Sequence, residues 1–233
     1  MNLIAFETAT EACSVAIWRD GEVLERFEVA PRRHAELALP WAQELLSEAG
    51  LARAQLDAVA VGRGPGAFTG VRLGIALAQG IALALDLPML PVSTLAALAM
   101  RASAEGRVLA AIDARMGEVY AGAFERSGDG VRALGPETVA VPDAVALPGA
   151  DDQGWHGVGT GFAAVDGALQ ARLRPRLASV DAAALPRAGD VARLAAQAWG
   201  GGELVAPERV EPAYLRDNVA LTLEQQQALR AAR

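Results

Sequence analysis

The stretch GRGPGAFTGVR, residues 62–72, is the part of this sequence that decides its fold. It follows the apolar run 56–61, which predicts a buried strand. It precedes the apolar run 71–85, which we predict to be a helix because Ala and Leu are strong helix formers. Closely spaced glycines let backbone N–H groups face a ligand, and the start of a helix attracts anions. The order of strand, glycine-rich loop and helix predicts an α/β fold.

This loop is open to two interpretations. In the first, it holds a nucleotide or another anion, with Thr69 capping the helix. In the second, its glycines form a tight turn that permits close packing of strand and helix. The loop lacks G-x-x-x-x-G-K-[ST], and its spacing differs from the dinucleotide fingerprint. The candidate anion-binding residues are Gly64, Gly66, Thr69, Gly70 and Arg72.

The composition excludes several kinds of chemistry. The chain has 233 residues, a net charge of −7 and 21 basic residues, all of them Arg. Without Lys, a Walker A lysine, a Schiff base and a Ser-Lys dyad are excluded. An acidic chain without clustered positive charge is a poor nucleic-acid binder on its own. Of the two histidines, His34 is interpreted as a helix-start residue, so no metal site is predicted.

The lone cysteine and the hydropathy pattern predict a cytoplasmic protein without membrane contact. Cys13 has no second cysteine to pair with, which fits a reducing compartment, and we interpret it as a small core residue. The uninterrupted apolar run 73–85 is shorter than a bilayer span, which needs about 20 residues. The first residues carry no basic segment and meet Glu7 and Glu11 early, unlike a signal peptide.

The chain divides into two blocks that each begin with strands and continue with helices. We predict residues 1–105 as an N-terminal subdomain and 106–233 as a C-terminal subdomain, whose end packs back on the first. The pair Asp20-Gly21 predicts a hairpin turn in an opening three-stranded meander. Predicted strands cover 3–6, 13–18, 22–29, 56–61, 89–92, 108–112, 117–125, 131–141 and 155–158. Predicted helices cover 34–50, 71–85, 94–104, 163–173, 190–199 and the tail 225–233.

Two N-terminal helices carry apolar residues that form a candidate partner interface. The first helix places large side chains at helical spacing, and the second carries a stripe of small residues at i, i+4 and i+8. An exposed apolar patch marks a partner site. The alternative is that both helices are fully buried within the domain. The candidate interface residues are Leu37, Trp41, Leu45, Gly74, Ala78 and Ala82.

Two acidic residues lie at the ends of predicted strands. Glu7, beside Thr8 and Thr10, could hold a metal–phosphate complex, or the two hydroxyls could satisfy the backbone of a turn. Asp113 is followed two residues later by Arg115. This pair is either an ion pair that shapes a turn or a polar contact in a cleft between the two blocks.

Several segments along the chain resemble the TsaB (YeaZ) family, which takes part in making N6-threonylcarbamoyladenosine in tRNA. They are ETATEACSVA at 7–16, GRGPGAFTGVRLGIALAQG at 62–80, AAIDARMGEVY at 110–120, VGTG at 158–161 and PAYLR at 212–216. The resemblance implies an actin/Hsp70/sugar-kinase-like (ASKHA, ribonuclease H-like) fold, in which two subdomains surround a cleft.

The resemblance also implies a role as a non-catalytic subunit. Such a subunit pairs with TsaD, which transfers the threonylcarbamoyl group to adenosine 37 of tRNAs that read codons beginning with A. TsaE, an ATPase, joins the pair, and this chain contacts tRNA only indirectly, through the complex. The two N-terminal helices form the TsaD contact and support a homodimer when the chain is alone. ATP and metal are expected on the partner subunits, and this chain has neither a cofactor of its own nor peptidase activity.

Two departures from the family pattern bear on catalysis. Glu7 stands where family members usually have Asp, and Ala9 stands where nucleotide-binding relatives have Gly. Both changes weaken the case for independent ATP chemistry. The alternative function is a small-molecule kinase or ATPase of the same fold. It would use the loop 62–70 as a phosphate cradle and Glu7 or Asp113 to hold the metal.

Overall fold

A computed structural model describes residues 1–149 and 153–216 of the chain. The predicted tail helix 225–233 lies outside these residues. The described chain is a mixed α/β structure with two sheets, one of five strands and one of six.

The first sheet opens with the predicted meander. Strands β1 (Asn2–Glu7), β2 (Ala12–Arg19) and β3 (Glu22–Val29) pair antiparallel in sequence order. Asp20 and Gly21 between β2 and β3 have φ of 52° and 97°, the left-handed pair that a two-residue hairpin turn requires. The Asp-Gly signal therefore predicted this hairpin correctly.

Two parallel strands and three helices complete the N-terminal part. They are α1 (His34–Glu48), β4 (Ala58–Gly62), α2 (Phe68–Leu85), β5 (Met89–Val92) and α3 (Thr94–Ala99). The strand order is β3-β2-β1-β4-β5, with β4 parallel to β1 and β5 parallel to β4. Ser93 caps α3 by accepting a 3.1 Å hydrogen bond from the Ala96 N–H.

Helix α2 begins at Phe68, three residues before the predicted start at 71, so the helix has 18 residues. Among the described residues, it alone is long and apolar enough to cross a membrane. Core helices of soluble proteins share this length and composition, and one side of α2 packs on the first sheet.

The second sheet repeats the connectivity of the first. Its strands are β6 (Gly106–Arg115), β7 (Glu118–Ser127), β8 (Gly130–Ala133), β9 (Thr138–Ala140), β10 (Trp155–Val158) and β11 (Leu177–Asp181), and α4 (Ala164–Leu173) precedes β11. Strands β6, β7 and β8 form a meander, β10 is parallel to β6, and β11 is parallel to β10. Each sheet is thus a meander extended by two parallel strands, which is the two-subdomain actin/Hsp70/sugar-kinase-like fold.

Two details of the second sheet differ from the sequence prediction. The single strand expected over 131–141 is two strands, β8 and β9, separated by Gly135-Pro136, because Pro interrupts the hydrogen-bond ladder. Strand β11 was not predicted at all. Its side chains are exposed or half-buried, so it lacks a clear apolar signal.

The last helix, α5 (Ala188–Gly200), returns to the first sheet. Its apolar side packs against one face of that sheet, and Val205 then bridges to Met89 of β5. The buried residues of α5 in this contact are Ala188, Val191, Ala192 and Ala195. The first sheet is therefore covered by α5 on one face and by α1 and α2 on the other.

The small-residue stripe of α2 faces this core and not solvent. Ala78 and Ala82 are fully buried, and a Cβ on Gly74 would lie 2.5 Å from the Thr8 hydroxyl oxygen. Leu45 of α1 is fully buried as well. The expectation that these four residues are exposed is wrong. The small side chains serve close packing of α2 on the sheet and the β1–β2 turn.

Candidate functional site

A cleft of about 1240 Å³ opens between the two subdomains. The first subdomain contributes the β1–β2 turn and the start of α2. The second contributes the end of β6, and residues 212–216 complete one wall. Of the sequence-predicted residues, the cleft brings together Gly66, Thr69, Gly70, Arg72 and Asp113.

The glycines of the loop 62–70 are packed against the chain's own β1–β2 turn. A Cβ on Gly66 would lie 2.3 Å from the Ala9 carbonyl oxygen, and one on Gly70 would lie 2.1 Å from the Thr8 carbonyl oxygen. The Ala67 N–H donates to the same Ala9 carbonyl at 2.7 Å. The chain's own carbonyl oxygens therefore lie where side chains at positions 66 and 70 would project, and one of them already accepts a loop N–H group. This geometry favours the tight-turn interpretation over the anion cradle.

Of two further candidates for the anion loop, Gly64 is bonded within the fold and Thr69 does not have the role predicted for it. Gly64 is buried, and its N–H donates to the Thr94 hydroxyl at 3.1 Å. Thr69 is exposed and does not cap α2, whose N-cap is Ala67 without a side-chain hydrogen bond. The capping role predicted for Thr69 is wrong, because the helix begins before it.

Glu7 is enclosed behind the cleft and does not line it. Its side chain accepts hydrogen bonds from the Ala9 N–H at 2.7 Å and from the Thr94 hydroxyl at 3.0 Å. The residue is 1% exposed, and burial raises the pKa of its carboxyl group to about 7, although these donors favour the charged form. A Cβ on Gly62 would collide with this carboxylate. Glu7 is thus a structural link between β1, β4 and α3.

Neither His34 nor Cys13 is available for chemistry in this arrangement. The Nε2 atom of His34 lies 2.9 Å from the Thr10 carbonyl oxygen and 3.2 Å from that of Ala12, so the buried ring ties α1 to the β1–β2 turn. Cys13 is fully buried, and desolvation raises the pKa of its thiol to about 11. Within 1–149 and 153–216, no three His, Cys, Asp or Glu side chains are grouped to hold a metal.

Asp113 and Arg115, at the turn between β6 and β7, line the cleft. Asp113 accepts from the Arg115 N–H at 2.7 Å and pairs with its guanidinium at 2.8 Å. Arg115 and Met116 have φ of 63° and 57°, in the left-handed region that non-glycine residues rarely adopt. Both sequence interpretations of Asp113 hold together: the ion pair shapes the turn, and the turn lines the cleft.

Sequence reasoning missed an aromatic stack beside the cleft. The Arg72 guanidinium lies 3.4 Å from the centroid of the Phe68 ring and 5.2 Å from that of Tyr214. It also donates to the Tyr214 hydroxyl at 2.9 Å and to the Phe68 carbonyl at 3.0 Å. Phe68 and Arg72 are one helical turn apart, which was a usable signal. Tyr214 is 142 residues from Arg72, and only the fold brings them together.

The segment 206–216 is a strap that joins the two subdomains. Gln79 of α2 donates through Nε2 to the carbonyls of Pro207 at 2.8 Å and Val210 at 3.2 Å. At its far end, the Arg216 guanidinium pairs with Glu118 of β7 and donates to the Ala114 carbonyl. The strap thus closes one wall of the cleft.

The outer side of α2 and the adjoining part of α1 form an apolar surface. Only six of the 18 residues of α2 are buried, and the outer residues recur at helical spacing. Leu83 is 62% exposed, and Ala76 and Gly80 are exposed. Leu37 and Trp41 of α1 are half-buried on the same side of the sheet. We call this surface the helical face: Leu37, Trp41, Leu73, Ala76, Leu77, Gly80 and Leu83.

The chain is similar in sequence and structure to known proteins. Residues 27–223 match the family model described as TsaD: tRNA N6-adenosine threonylcarbamoyltransferase. The tRNA threonylcarbamoyladenosine biosynthesis protein TsaB of Escherichia coli is 46% identical over 227 residues, covering 94% of this chain and 96% of that protein. TsaB of Haemophilus influenzae is 38% identical and covers 94% of this chain and 95% of that protein. The solved structure of YeaZ from Pseudomonas aeruginosa has 45% identity and a TM-score of 0.82, covering 92% of this chain and 99% of that one.

Proposed function

The chain belongs to the TsaB (YeaZ) family of tRNA threonylcarbamoyladenosine biosynthesis proteins, and on that premise we propose that it is a non-catalytic subunit that binds and supports TsaD. TsaD, assisted by TsaE, carries out the threonylcarbamoyl transfer to adenosine 37, and ATP and metal belong to those partners. We further propose that the complex forms in the cytoplasm.

The packing of the glycine loop is the observation that carries the non-catalytic role. Backbone carbonyls of Thr8 and Ala9 pack directly against Gly66 and Gly70, and the Ala9 carbonyl accepts the Ala67 N–H, so the loop is occupied by the chain's own backbone. Glu7, the candidate metal ligand, is enclosed behind the cleft and bonded to Thr94. These contacts oppose the kinase or ATPase alternative, and the structural role of His34 opposes a metallopeptidase.

The helical face supports the choice of partner. The helical face combines exposed Ala76, Gly80 and Leu83 with four half-buried apolar residues, and an exposed apolar surface marks a site of association. The TsaB-type relatives and the match to a TsaD family model make a TsaD-like subunit the partner of choice. When TsaD is absent, the same face of a second copy is expected to cover it, which would give a homodimer.

A surface charge on the helical face tests this contact. Ala76 is exposed on α2, so Ala76→Arg is expected to leave the fold intact and to abolish co-elution with TsaD in gel filtration. Ala171→Arg, on an exposed position of α4, is the matched control and should co-elute normally. Ala78→Arg is unsuitable because Ala78 is fully buried, and the charge would disrupt the fold itself. Undiminished co-elution of the Ala76→Arg variant would remove the helical face as the contact.

Calorimetry with Mg-ATP separates the two functions. The isolated chain is expected to show no saturable heat of binding in the micromolar range. Micromolar binding of Mg-ATP would favour the kinase or ATPase alternative instead.

A further inference from the structure

The aromatic stack of Phe68, Arg72 and Tyr214 leaves its outer surfaces in solvent. Phe68 is 68% exposed and Tyr214 is 61% exposed, although Arg72 contacts both rings. Two aromatic rings beside a guanidinium plane are the kind of surface on which unpaired RNA bases stack. Because two large exposed rings are grouped at the edge of one cleft, the stack is a candidate contact site.

Arginines stand on both sides of the same cleft. Arg32, just before α1, lines it from the first subdomain, and Arg115 lines it from the second. Both have left-handed backbone conformations, with φ of 70° and 63°. Such conformations are costly for Arg and cluster at functional sites. The Arg115 side chain remains 83% exposed in spite of its pairing with Asp113.

The charge of the cleft is opposite to that of the chain. The chain carries a net charge of −7, yet the charged residues lining the cleft are mainly arginines. Asp113 pairs with Arg115 and Glu118 pairs with Arg216, so Arg32 and Arg72 supply the small positive excess of the cleft. A positive excess beside aromatic rings complements a phosphate backbone with splayed bases. Its volume of about 1240 Å³ exceeds that of an ordinary small-molecule site. The charged lining residues are Arg32, Arg72, Arg115 and Arg216, with Glu11 and Asp113 opposing them.

We propose that the mouth of this cleft binds unpaired nucleotides of RNA, with bases stacked on Phe68 and Tyr214 and phosphates near Arg32 and Arg115. The inference rests on the proposed function, which supplies tRNA as the RNA. It adds a direct contact made by this chain, where the overall charge of the sequence pointed only to indirect contact through partners.

Fluorescence anisotropy with a labelled, unstructured RNA dodecamer tests the site on the full chain. Phe68→Leu keeps an apolar side chain but removes the ring, and it should weaken binding about fivefold or more. Phe68→Trp should retain binding. Leu204→Ala, at a position 45% exposed outside the cleft, is the control and should bind like the parent chain. Arg115→Ala should reduce the salt dependence of log Kd by about 0.7.

Two results would overturn the site: equal RNA affinity of the Phe68→Leu variant and the parent chain, or no saturable binding at millimolar protein. If Phe68→Leu instead loses co-elution with TsaD and keeps its RNA affinity, the stack is a protein contact and the RNA site is refuted. Co-elution of the parent chain with TsaD is measured in parallel. If that association holds while the RNA result fails, the subunit function stands without the RNA site.

Discussion

The Glu7 carboxylate receives hydrogen bonds from the Ala9 N–H and the Thr94 hydroxyl in a region closed to water. Burial raises the pKa of this group from 4.5 to about 7 in the folded chain. Between these values, the folded state holds a proton that the unfolded state has lost. The free energy of unfolding therefore falls as pH rises from about 4.5 to about 7, and this contribution is constant above pH 7.

Glu7→Gln tests this pH dependence. The uncharged amide cannot ionise. The decrease in the free energy of unfolding that Glu7 causes between pH 4.5 and pH 7, about 3 kcal/mol in total, should therefore be absent from the variant. Urea unfolding of both proteins at pH 5 and pH 8 measures the difference. Identical pH dependence of the two proteins would show that Glu7 does not titrate in this range.

Replacing a glycine of α2 by alanine should have opposite effects on stability at two positions. Gly70→Ala would place a methyl group 2.1 Å from the Thr8 carbonyl oxygen, so it should destabilise the chain by about 1–3 kcal/mol. Gly80→Ala meets no atom within 4 Å and should stabilise it by about 0.5–1 kcal/mol, because Ala favours helix. Thermal or urea unfolding compares them. A Gly70→Ala variant as stable as the parent would contradict the packed-loop description.

At the residue scale, the sequence singled out the glycine-rich loop 62–70 but did not decide between an anion site and a tight turn. Spacing alone shows that glycines are close together, but not what lies against them. Here the neighbour is the Thr8–Ala9 backbone, about sixty residues earlier in the chain. The bond between Glu7 and Thr94 spans 87 residues. Such contacts follow from the sheet order and not from local pattern.

At the scale of elements, the sequence of α2 predicts a helix but does not show which side of it is buried. Its composition predicted a helix correctly, but a helix that is apolar all round has no polar side to mark the surface. The small residues Gly74, Ala78 and Ala82 were assigned to a partner, whereas they face the sheet. The larger residues Leu73, Leu77 and Leu83 lie on the outer side instead.

Gln79 of α2 is one of the side chains that hold the strap. Gln79→Ala removes both hydrogen bonds to the carbonyls of Pro207 and Val210 and should cost about 1 kcal/mol of local stability. Backbone amides of the strap, residues 206–216, should then exchange hydrogen faster. Gln43→Ala, at an exposed position of α1, is the matched control. Unchanged exchange in the Gln79→Ala variant would mean that the strap is held by its other contacts.

At the scale of the whole molecule, the two-block pattern anticipated a duplicated fold that sequence identity between the blocks did not reveal. Both sheets share one connectivity, because a meander followed by parallel strands depends on apolar pattern and not on particular residues. The return of α5 to the first sheet and the cleft that the strap closes could be recognised only in three dimensions.

We propose that this chain is a required, non-catalytic subunit. The decisive experiment measures threonylcarbamoyladenosine formed on tRNA by TsaD and TsaE supplied with threonylcarbamoyl-adenylate, with and without this chain. The chain alone should form none, and its omission should reduce the product to background. Ala76→Arg should act like omission, and Ala171→Arg should support full activity. Undiminished product in the absence of the chain would contradict the claim.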